Sequence, residues 1–197
     1  MKSRTLTWIA ARLTSMERSN TMRQRFWLIA FTLGLLAFLP HAAWAQNAHG
    51  NHDTYLLLAG VPPLESPDVA SGPNGSILSL SGTGSFKAGP NKSASGGGSY
   101  TITDSAGNTV ASGAWTVIRI LGFVDYGDAT PQGLPASFHG GQAKFGVSLS
   151  GIGVGVLTVH CVLGLPPAGK DEGINLVLGQ GLNFTKSKGG QTLFIKP

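Results

Sequence analysis

The sequence predicts an all-β protein: an antiparallel β-sandwich, with a partly closed barrel as the alternative, after an N-terminal signal helix. Three observations carry this. Beyond Gln46, short apolar or alternating runs recur between glycine-rich turns. Glycine supplies 28 of the 152 residues from Gln46 to Pro197, and a glycine inside a helix costs about 1 kcal/mol relative to alanine. No window in that stretch keeps apolar residues at helical spacing over three turns without a Gly or Pro interruption.

Met22–Gln46 reads as an export signal. Arg23 and Arg25 form a basic start, Trp27–Leu39 is an apolar run, and Pro40 breaks it. Ala43 and Ala45 place small residues where a signal peptidase reads, so cleavage is expected before Gln46. The expected destination is the periplasm or the extracellular space. The alternative is a membrane anchor through an uncleaved Trp27–Leu39. That run has 13 residues, short of the roughly 20 that span a bilayer, so no stable span is expected after cleavage. Met22 or Met16 is the alternative start. The division is then 1–45 as extension plus signal peptide, 46–54 as a flexible tail and 55–197 as one β domain.

Charge follows the same division. The formal net charge is +5, but six of the 14 basic residues precede Gln46 against one of the nine acids, Glu17. The remainder balances eight against eight. The basic pI near 9.6 thus belongs to the leader, and nucleic acid is not an expected partner. An envelope or protein partner is left open. The one cysteine, Cys161, allows no intramolecular disulfide. Gln46, not cysteine, follows the cut, which excludes bacterial lipoprotein anchoring at that site.

The strand candidates follow in order. Tyr55–Ala59 is short and apolar; Val61–Gly75, with Pro62, Pro63 and Pro67, is expected to be extended or looped. Ser76–Ser81 and Thr83–Ala88 are read as separate strands, and Gly89–Gly98 as a Ser/Gly loop. Gly98–Asp104 and Thr109–Phe123 flank a turn at 104–108, where Gly107 or Asn108 supplies left-handed backbone. Gly113 is a candidate bulge, and Tyr126–Gly141 a long connection. Gln142–Ser150 alternates, and Val154–Leu163 is apolar enough to suggest a strand covered on both faces. Ile174–Gly179 and Gln191–Lys196 complete the set. No repeat period holds.

Candidate chemistry is sparse, and each candidate has a plainer reading. His49 and His52 bring metal-ligand types together near the new N-terminus, where an amine, amides and an imidazole chelate Cu(II); the plainer reading is a tail with incidental histidines. Asp125 and Asp128 offer two carboxylates for calcium with backbone carbonyls, against solvated turn residues. Asp171–Glu172 is a second such pair. His139 begins His-Gly-Gly, and Gly82-Thr-Gly-Ser-Phe-Lys87 has loop-like glycines, but neither completes a hydrolase or phosphate-loop motif. His139 and Trp115 are carried as binding candidates, Trp115 with a core reading beside it. In a strand, His160 and Cys161 face apart, so Cys161 reads as a small buried hydrophobe. Three Asn-x-Ser/Thr sequons, at Asn74, Asn91 and Asn183, matter only in a eukaryotic secretory route.

No catalytic set and no cofactor motif emerge. The expectation is a non-enzymatic exported β-domain with a structural or binding role. A metal- or ligand-binding secreted protein is the first alternative. A hydrolase whose site is assembled from distant loops is the second.

Overall fold

The structure, a computed structural model, describes residues 53–197 apart from Gln180. The expected signal peptide, its expected cleavage site and the His49/His52 candidate lie outside the described residues. Eleven strands run in chain order: β1 (Thr54–Ala59), β2 (Asp68–Ser71), β3 (Ile77–Lys87), β4 (Ser93–Thr103), β5 (Thr109–Asp128), β6 (Phe138–Leu149), β7 (Gly153–Cys161), β8 (Gly173–Leu178), β9 (Asn183–Phe184), β10 (Lys186–Gly189) and β11 (Thr192–Ile195). Two short 3-10 turns, Pro73–Gly75 and Thr130–Gln132, are the only helical pieces among the described residues. No helix there is long and apolar enough to cross a membrane.

All described pairings are antiparallel, and they join the strands into one large sheet where two were expected. The reason is strand length. β3 pairs with β4 along one edge; on the other, Ile77–Leu80 hold β2 and Gly82–Lys87 hold β1. β6 behaves alike: β5 lines one edge, while Phe138 and His139 meet β11 and Gly141–Leu149 meet β7 on the other. Because β1 also pairs with β11, the path β1–β3–β4–β5–β6–β11 returns to its start.

Alternation decides what the sheet encloses. Leu78, Leu80, Tyr100, Ile102, Phe145, Val147, Leu157, Val159, Ile174 and Leu176 point inward and are buried. At one end Tyr55, Phe86, Phe123 and Phe194 pack ring against ring, with centroids 4.7–5.7 Å apart, the separation at which edge and offset contacts are favourable.

Several expectations change here. The runs at 76–81 and 83–88 are one strand, β3. The supposed loop at 89–98 is largely strand, since β4 begins at Ser93. Its glycines are there for space: Gly98 pairs with both Gly82 and Trp115, and the Trp115 ring lies where a side chain on Gly82 would project. β5 runs through Asp128, so the long connection shrinks to residues 129–137. The bulges of β5 against β6 fall not at Gly113 but at Ile118, Leu121 and Tyr126, where the register shifts. β7 is not covered on both faces, because Val154 is 63% exposed. β2, β9 and β10 are too short and too polar or proline-flanked to register as periodic runs.

Candidate functional site

Two places among the described residues could carry chemistry. The first is built on Asp125. The bulge at Tyr126 interrupts the pairing just beyond this residue, and it resumes at Gly127. One carboxylate oxygen, Oδ2, accepts the Tyr55 hydroxyl at 2.9 Å. The other, Oδ1, accepts the Gly127 N–H at 2.8 Å and lies 3.2 Å from His139 Nδ1. His139 comes from β6 opposite Asp128, is nearly buried, and meets the Tyr55 ring edge-on at 5.7 Å. A carboxylate on Nδ1 fixes a histidine's tautomer and leaves Nε2 as a proton acceptor, which is the orienting half of a hydrolytic triad. The only described hydrogen bond of the His139 ring is the one to Asp125. Tyr55, Asp125 and His139 therefore tie β1, β5 and β6 together at the aromatic end of the core.

Asp128 does not join this group. Its Oδ1 accepts the Thr130 N–H at 2.9 Å and the Thr130 hydroxyl. These bonds, with a smaller contribution from His139, hold its carboxyl below the ordinary range. The two carboxylates of the Asp125/Asp128 calcium candidate thus turn to different partners. Among the described residues no three His, Cys, Asp or Glu side chains gather to hold a metal.

The other sequence candidates become structural. Trp115 is 1% exposed and its indole N–H donates to Ser81 O at 3.1 Å, so it offers no free ring face to a ligand. Gly82–Lys87 is strand rather than phosphate loop. Glu172 accepts the Val162 N–H at 2.7 Å and the Thr192 N–H at 2.8 Å, fastening the end of β7 to β11. Cys161 is buried, and burial, with Glu172 adding to it, pushes its thiol up to about 12, far from a reactive thiolate. His160 faces outward beneath a cover and is buried, with Nδ1 unpaired. Burial, then Lys170 and Lys144, lower its pKa and disfavour the protonated ring.

The second place was not anticipated. A groove of about 480 Å³ crosses the outer face of β5–β8. Ile118 is 54% exposed, Leu121 38%, Val154 63% and Val177 45%. Ile118 and Leu121 are bulge residues, so the extra residue in each case turns an aliphatic side chain outward. Register then aligns a row across four strands: Arg119 opposite Gly146, Gly146 opposite Val156, Val156 opposite Val177. Gly146 leaves a dip in this row that the Arg119 stem overlies. One signal for this was present in the sequence. Val117-Ile118-Arg119-Ile120-Leu121 breaks alternation, and a strand cannot hide two adjacent apolar residues on one face.

Compared with known proteins, the chain matches no family model, no curated protein and no solved structure.

Proposed function

We propose that this chain is an exported, non-enzymatic β-domain, a partly closed barrel, that works as a binding module of the cell envelope or its surroundings. The single observation that supports binding is the aliphatic groove on the outer face of β5–β8. Exposed apolar residues scattered singly are ordinary; a contiguous set with a concave floor marks an interaction site. Export rests on the Met22–Gln46 pattern alone.

The test uses the full chain and a neutral apolar fluorophore, N-phenyl-1-naphthylamine. The wild type is expected to bind it saturably. Val154→Asp is expected to abolish binding while the β-type circular dichroism spectrum is unchanged. A wild type that gives no saturable enhancement overturns the reading. For export, mass spectrometry of the protein recovered outside the cytoplasm should give Gln46 as first residue.

A hydrolytic reading has one observation in its favour, the Asp125–His139 pair. It requires a hydroxyl or thiol within reach of His139 Nε2. Esterase activity lost on His139→Ala, in a variant that still melts cooperatively, would support it over the binding module.

A further inference from the structure

We propose that the outer groove of β5–β8 binds a long-chain fatty acid, its acyl chain lying against Ile118, Val154, Val156 and Val177 and its carboxylate on Arg119. This rests on the binding-module reading and names its ligand.

Charge on this face selects the class of occupant. The row Arg119–Gly146–Val156–Val177 runs from a guanidinium to bare aliphatic side chains. The neighbouring outward row, Gly122–Lys144–Thr158–Asn175, is polar and adds a second cation. The row on the other side, Thr116–Ser148–Val154, is uncharged. No acid stands in these three rows. Neither Arg119 nor Lys144 has a carboxylate partner among the described residues. An apolar slot with cations at one margin and no anion is complementary to an amphiphile with an anionic head. Arginine suits a carboxylate because its planar fork donates two parallel N–H bonds.

Shape agrees. The groove's 480 Å³ lies within the roughly 300–1,000 Å³ typical of small-molecule sites. Gly146, opposite Arg119, leaves room for the Arg119 stem to lie against the sheet. A second copy fits less well: a two-fold contact sets a face against itself, and this face carries two cations and no acid to pair with them.

The test is calorimetric titration of the full chain with palmitate and, separately, with hexadecanol, which keeps the chain and lacks the charge. Palmitate is expected to bind with defined stoichiometry and to displace the neutral fluorophore. Arg119→Gln should weaken palmitate by roughly tenfold or more, the size of one charge-assisted hydrogen bond, and leave hexadecanol unchanged. Arg119→Lys should recover part of the loss. Equal binding of both ligands, indifferent to Arg119→Gln, overturns the head-group assignment. If neither ligand displaces a fluorophore that Val154→Asp still abolishes, the fatty-acid proposal fails while the groove stands. If sedimentation shows a dimer that Val154→Asp dissolves, the face belongs to a second copy and the proposal is overturned.

Discussion

Asp68 sits at the start of β2, fully buried, with both carboxylate oxygens unpartnered. Burial, with Glu172 and Glu65 adding to it, pushes its carboxyl up to about 8. The folded state therefore holds a proton that the unfolded chain releases near pH 4. Between about pH 4 and the folded value, each pH unit costs the fold about 1.4 kcal/mol. Below that window both states are protonated; above it both are ionised and the penalty stays constant. Asp68→Asn should flatten this slope, narrowing the stability difference between pH 5 and 8 by an amount on the order of 4 kcal/mol. Urea melts at both pH values measure it. A variant whose slope equals the wild type's would show that Asp68 ionises freely. Cys161 gives a simpler check: its raised, buried thiol should resist a disulfide reagent at pH 8 in the native protein and react at once in guanidinium.

At the scale of elements, β3 and β4 are shaped by one tryptophan. Trp115 reaches across Gly98 to Gly82 and donates to Ser81. An aromatic ring covering strand glycines repays part of what those glycines lose in conformational entropy. Gly82→Ala drives a methyl group into that ring and should destabilise the protein by about 1–3 kcal/mol, the range of overpacked cores; thermal melts check it. The hairpin at 104–108 is independent of this. Asp104 accepts the Ala106 and Asn108 N–H groups at 2.9 Å, and Gly107 takes φ +85°. Asp104→Ala should lower the melting temperature, the direction seen when other caps are lost. That hairpin was legible in the sequence because its chemistry is local. The first half of β4 was not, because its glycines are explained by a ring fifteen or more residues away. The same holds for the sites. Asp125 and His139 were visible as residue types, but Tyr55, which joins them, is 70 positions from Asp125. The groove needs register, which no single strand contains.

For the whole molecule, the closing element is the smallest. β11 has four residues, yet it pairs with both β1 and β6 and supplies Phe194 to the core. Removing residues 192–197 should leave the facing edges of β1 and β6 unpaired and remove the Glu172–Thr192 tie. The truncated chain should lose its cooperative melt and aggregate; a sharp transition near that of the full chain would mean that the other strands suffice. All-β architecture was readable beforehand from alternation and turns. Single-sheet closure stood only as the alternative of a partly closed barrel, since it depends on two long strands each hosting two neighbours along one edge.

That β11 follows every strand it closes against has a consequence in time. As the chain emerges from its N-terminal side, β1 finds β3 early, but its second edge stays open until β11 has been made. The order of the strands thus sets a delay before the ring locks.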